Sequence, residues 1–78
     1  MKLVLIEWLD ASGPPRGWVF AEDAEPDAPI VKSVGWLAKE EKDYLFLVPH
    51  VAESLSGRQY AGYFTIPRRM VIKRRVLK

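Results

Sequence analysis

The sequence predicts a small all-β domain, a five-stranded and strongly bent β-barrel with room for a short helical or 3-10 turn. Three observations predict it. Apolar stretches of strand length alternate with clusters of Gly, Pro, Asp and Lys. One such stretch contains Gly35, the residue type that lets a strand bulge or bend sharply enough to close a small barrel. No segment sustains an apolar period of 3.6 residues, which leaves strands as the main element.

Lys2 to Leu9 reads as the first strand, with Val4, Ile6 and Trp8 on one face and Leu3, Leu5 and Glu7 on the other. Asp10 to Gly17 must stop it, because Pro14 and Pro15 remove backbone donors and Gly13 and Gly17 admit positive φ. Trp18-Val19-Phe20 reads as a short apolar return. Ala21 to Pro29 is an exposed acidic loop that can start as one helical turn before Pro26 and Pro29 end it.

Ile30 to Ala38 is the second strand. A charged turn, Lys39 to Asp43, joins it to a third, Tyr44 to Val48. Pro49 to Gln59 reads as a connection with Gly57 near its tip. Tyr60 to Ile66 is the fourth strand and Met70 to Leu77 the fifth. Pro67-Arg68-Arg69 separates them as a tight corner or a single 3-10 turn.

Seventy-eight residues make one domain, residues 1–78. A chain of this size buries only about 60–65% of its unfolded surface. With so small a core, self-association is a natural source of further burial, and a homo-oligomer is expected. The absence of cysteine excludes disulfides and thiolate metal sites. Glu7 and Asp10 cut short the apolar start, and no apolar run approaches the roughly 20 residues that span a bilayer. The expectation is a cytoplasmic protein with no membrane partner.

Charge is the strongest asymmetry. Arg68, Arg69, Lys73, Arg74, Arg75 and Lys78 are six of the twelve Lys and Arg, while the preceding residues hold the other six and all ten acids. The tail thus carries +6 and the body −4. A segment this polarised attracts phosphates or an acidic partner. As a strand it places Lys73 and Arg75 on one face and Arg74 on the other. The competing explanation is an edge strand kept soluble by its charge.

Trp18, which follows the Pro/Gly loop, together with Tyr60 and Tyr63, supplies candidate stacking surfaces for a ligand. Trp8 and Trp36, in strong strands, read as core. His50 is the single histidine, and neither a metal site nor a general base with an orienting partner can be built around it. Ser12, Ser33, Ser54 and Ser56 lack a nucleophile-elbow setting. Glu22, Asp23, Glu25 and Asp27 lack the glycine and terminal glutamate of a calcium loop. They read as solvated, or as partners of the basic tail within or between subunits. No cofactor, metal or catalytic residue is assigned, and the chain is read as a non-enzyme.

Two local patterns, Val34-Gly35-Trp36-Leu37 leading through a charged turn to Asp43-Tyr44-Leu45-Phe46-Leu47, and Ile66-Pro67 followed by Val71-Ile72 and Val76-Leu77, resemble small barrels of the Sm-like type. The Asn and Gly signatures of the RNA-binding Sm surface are missing, so RNA binding does not carry over. The residues Glu7 to Asp10, Gly17-Trp18, Ser33 to Leu37, Asp43-Tyr44, Leu47 to His50 and Thr65 to Pro67 resemble a group of short uncharacterised tailed-phage and prophage proteins. That resemblance implies a phage or prophage origin and the cytoplasm of a bacterial host, and no activity.

The sequence therefore points to a non-catalytic binding protein. Its expected ligand is anionic, a nucleic acid or small nucleotide, held through Arg68, Arg69, Lys73, Arg74 and Arg75 with Trp18, Tyr60 and Tyr63. The alternative is a protein-interaction or structural module that meets a host or phage protein and uses the basic strand only as a charged edge.

Overall fold

A computed structural model describes residues 1–11, 17–25 and 28–78. The loop Ser12 to Arg16, with Gly13, Pro14 and Pro15, lies outside the described residues, as do Pro26 and Asp27.

The chain is all-β, and the described residues form seven strands: β1 (Lys2–Leu9), β2 (Ile30–Glu40), β3 (Tyr44–Val48), β4 (His50–Ser54), β5 (Gly57–Ala61), β6 (Phe64–Pro67) and β7 (Val71–Val76). Two 3-10 turns, Ala21–Asp23 and Arg68–Met70, stand before β2 and β7. Both fall where the sequence allows one turn and no more. Among the described residues no helix is long and apolar enough to cross a membrane.

Five strands form one antiparallel sheet in the order β6-β3-β2-β1-β7, and β4 and β5 form a separate two-stranded hairpin. β1 and β2 pair over their whole common length, from Lys2 opposite Leu37 to Leu9 opposite Ile30. The Asp10 amide closes this ladder on the Pro29 carbonyl at 3.0 Å.

The inner face of the sheet holds the core. Val4, Ile6, Leu45, Leu47 and Ile66 are buried together, with Trp8, Leu37, Phe64 and Val71 packed against them. Each fully buried aliphatic side chain contributes roughly 1.5–3 kcal/mol. Trp8 meets this core and donates its indole N–H to the Ser33 hydroxyl at 3.0 Å. Trp36 does not join it. Its register opposite Leu3 puts it on the outer face, beside Met1 and Val51.

The two edge strands are consecutive in the chain, joined only by the turn Arg68–Met70. Five flat strands would set their edges about 19 Å apart at 4.7–4.9 Å per strand. Three residues of 3-10 helix span about 6 Å. The sheet therefore has to curl until its edges approach. No ladder joins β6 to β7 among the described residues, so the sheet is open along that seam.

Several sequence expectations are corrected. The segment Pro49 to Gln59 is not a connection: it holds β4 and the start of β5. Pro49 has no N–H and ends β3, but the chain resumes pairing at once, His50 opposite Ala61. Tyr60 to Ile66 is not one strand. Gly62 adopts φ +70, and a Cβ there would lie 3.2 Å from the Pro49 ring, so the chain turns between β5 and β6 at that glycine.

Gly35 sits in regular register, and the bulge of β2 falls between Leu37 and Lys39. Gly35 serves close approach instead, since a Cβ would meet the Val48 carbonyl oxygen at 3.3 Å. Lys39 and Glu40 belong to β2, and Met70 belongs to the turn before β7. Trp18-Val19-Phe20 is no strand, and all three side chains are exposed.

The molecule is long, 58 × 24 × 21 Å, with a radius of gyration of 16.6 Å. A compact chain of this length has about 11–12 Å. Every residue of β5 and all of β4 but Val51 is exposed. This hairpin is held at its base by Tyr60 and Tyr63, whose rings pack edge-on against Phe46 with centroids 6.4 and 5.4 Å away. Across it, Arg58 and Glu53 pair at 2.7 Å.

Candidate functional site

β7 is an edge strand paired only with β1. Its register puts Lys73 opposite Glu7 and Arg75 opposite Leu5 on the outer face, and Arg74 opposite Ile6 and Val76 opposite Val4 on the inner face. The alternation read from the sequence holds here. Ile72 is the extra residue where the register shifts between Glu7 and Trp8.

Arg74 crosses the inner side of the curled sheet to Glu40 of β2. Its Nη1 donates to Glu40 Oε1 at 2.6 Å, and Arg68 Nη2 donates to the same oxygen at 3.1 Å. Arg68 also donates to the Glu41 carbonyl from Nε and Nη2, at 3.2 and 2.9 Å, and its amide donates to the Asp43 carbonyl at 2.9 Å. The hydrogen bond from Arg74, then that from Arg68, holds the Glu40 carboxyl below its ordinary value of 4.5. One carboxylate of β2 thus holds both the turn after β6 and β7.

A cleft of about 450 Å³ opens beside this pair. Val4, Leu37 and Val76 line it with apolar surface, and Met1, Lys2, Glu40 and Arg74 complete it. Its size falls in the usual range of ligand pockets, roughly 300–1,000 Å³. A second depression, about 290 Å³, lies between Lys42, Asp43, Arg68 and Arg69. Arg68 and Arg69 of the turn and Arg74 of β7 therefore border two concave surfaces.

The five basic residues are not equivalent. Arg68 and Arg74 are engaged by Glu40, whereas among the described residues Arg69, Lys73 and Arg75 have no carboxylate within 4.0 Å. Lys32 lies in the same outer-face row as Glu7 and Lys73, its Nζ 3.8 Å from Glu7 Oε1.

Trp18 is fully exposed. Tyr60 and Tyr63 pack edge-on against Phe46 yet remain exposed, Tyr63 the more so, and the Tyr60 hydroxyl contacts the Met1 sulfur, 3.8 Å away, at the rim of the cleft. His50 is exposed on β4 and lines a shallow hollow with Gln59 and Tyr60. Glu22, Asp23 and Glu25 are exposed around the first 3-10 turn. Among the described residues no group of three or more His, Asp or Glu could hold a metal ion.

Sequence reasoning missed Met1, Lys2, Val4, Leu37, Glu40 and Val76 as cleft residues. Only the charge at Glu40 was a signal, and it reads as part of a solvated turn until the curl brings β7 to it. Comparison with protein-family models, with curated proteins and with solved structures finds no match.

Proposed function

We propose that this is a non-catalytic binding protein of phage or prophage type, acting in the cytoplasm of a bacterial host. Its basic C-terminal segment contacts an anionic ligand, a nucleic acid or a nucleotide. The observation that carries this reading is the division of labour among the cations. Arg68 and Arg74 are oriented by Glu40 at the edges of two concave surfaces, while among the described residues Arg69, Lys73 and Arg75 have no carboxylate partner. Guanidinium groups offer a planar fork that matches phosphate. The apolar lining of the larger cleft suits a base or sugar attached to such a phosphate.

The small Sm-like barrel belongs to this proposal. The strand order and the three-residue link between the edge strands support it.

The test is anisotropy of a labelled oligonucleotide and calorimetry with a nucleoside diphosphate, each over a salt series. Binding should weaken steeply with salt, with a logarithmic slope of about 0.7–0.9 per phosphate contact. Replacing Arg74 and Arg75 together by Ala should reduce both affinity and slope. Unchanged binding in that variant sinks the proposal.

A second reading, a protein-interaction module, is favoured by one observation: Trp18, Phe20 and Leu55 are large apolar side chains in open solvent. Docking through such groups is insensitive to salt, which separates it from the first.

A further inference from the structure

The outer face of the sheet is covered at one end only. Beneath the β4–β5 hairpin, Val48 is fully buried and Phe46 packs with Tyr60 and Tyr63. Over β1 and β2 the same face exposes Leu9, Ile30 and Val34, with Leu5 half-buried between strands. Alternation and register place Leu5 beside Val34 and Leu9 beside Ile30 there. Ile30 is 61% exposed and Val34 51%. Lys32, Lys73 and Arg75 share that face with one carboxylate, Glu7. The charged row Glu7, Lys32 and Lys73 separates the apolar pair Leu9 and Ile30 from the pair Leu5 and Val34, which Arg75 flanks.

The segment Gly17 to Glu25 has the opposite character. Trp18 and Phe20 are exposed aromatics without cover, and Glu22, Asp23 and Glu25 follow directly. The segment leaves the sheet beyond Leu9 and returns before Ile30. Among the described residues Trp18 is packed against no other side chain.

We propose that this acidic aromatic arm docks on the open β1–β2–β7 face of a second copy of the chain, and that the exchange is reciprocal. Apolar surface meets apolar surface, and three carboxylates meet three cations. The arrangement is isologous, so each subunit contributes one arm and one face. Large aromatic side chains bury roughly 150–250 Å² each. An arm given and a face covered then approach the roughly 800 Å² per partner of a standard interface. The docked arm and an anionic ligand compete for Lys73 and Arg75, whereas Arg69 and the Arg74 cleft stay open to the ligand. The exchange does not rest on the ligand proposal.

Sedimentation velocity of the full chain, freed of nucleic acid, tests it. The wild type should form a dimer at accessible concentrations. Trp18→Ser with Phe20→Ser should halve the mass and leave the circular dichroism unchanged. Two charge-reversed variants keep the test independent of those aromatics. Glu22→Lys with Asp23→Lys should be monomeric alone, as should Lys73→Glu with Arg75→Glu. Mixed, they should form a heterodimer, because each arm then meets a face of opposite charge. A wild type that stays monomeric, a serine variant that keeps the wild-type mass, or a mixture that yields no heterodimer overturns the proposal.

Discussion

Arg74 and Glu40 meet at 2.6 Å across the inside of the curled sheet, although β1 lies between their strands. Arg68 donates to the same carboxylate oxygen from the turn that joins the two edge strands. The three side chains form a polar clasp beside a cleft whose other walls are largely apolar. A charge on the inner face of an edge strand also discourages pairing with another sheet.

The clasp makes stability depend on acid pH. Glu40 has its carboxyl held below 4.5 in the folded chain by Arg74 and then Arg68. Its contribution is therefore present above the unfolded value and is lost as pH falls through the lower folded one. The melting temperature should drop as acid passes below 4.5, and Glu40→Gln should show a shallower drop. Thermal melts followed by circular dichroism over that range decide it, and identical pH profiles would remove the clasp from the account.

Releasing the two arginines should favour an anion. Glu40→Gln leaves Arg68 and Arg74 without their shared counter-charge, so pyrophosphate or an oligonucleotide should bind several-fold tighter at low salt. The gain should shrink as salt screens the site. Calorimetry at two salt concentrations checks both statements, and weaker binding would mean that Glu40 mainly orients the arginines.

Gly35 should not tolerate alanine. The added Cβ would lie 3.3 Å from the Val48 carbonyl oxygen, at the end of a strand paired on both sides. The neighbour is backbone and has little room to give. A loss of about 1–3 kcal/mol is expected, as for other overpacked sites, and urea unfolding measures it.

Ile66 has no exposed surface and joins β6 to the core against Leu45. Ile66→Ala should cost about 2–5 kcal/mol. With a total stability on the order of 5–15 kcal/mol or less for so small a chain, a broadened or lost cooperative transition is the expected result. A loss under about 1 kcal/mol would mean that β6 is loosely held.

Much of the fold was legible. Alternation over Val4, Ile6 and Trp8 marks β1, and the apolar run Tyr44 to Val48 marks β3. Pro67 and the basic pair after it mark the turn. What stayed hidden is β4. His50, Ala52, Glu53 and Ser54 are exposed, so a strand held by its ladder and its tyrosine base leaves no burial pattern in the sequence. The site was legible as charge alone. That Lys73 and Arg75 part from Arg74 follows from strand period, but Glu40 joins Arg74 only once the sheet curls, and no local pattern encodes that meeting.

The pairing of β1 with β7 bears on the order of folding. β1 pairs with β2 across 21 to 35 residues of sequence, yet its other edge is completed by residues 63 to 72 positions away. Contacts of such long sequence separation form late and slowly, because loop closure comes before any gain from the ladder. Until then the free side of β1, rich in Leu, Val and Ile, is an open template for strands of other chains. The nascent protein is most vulnerable to aggregation in that interval, and the basic strand that ends it covers the exposed edge with a charged one.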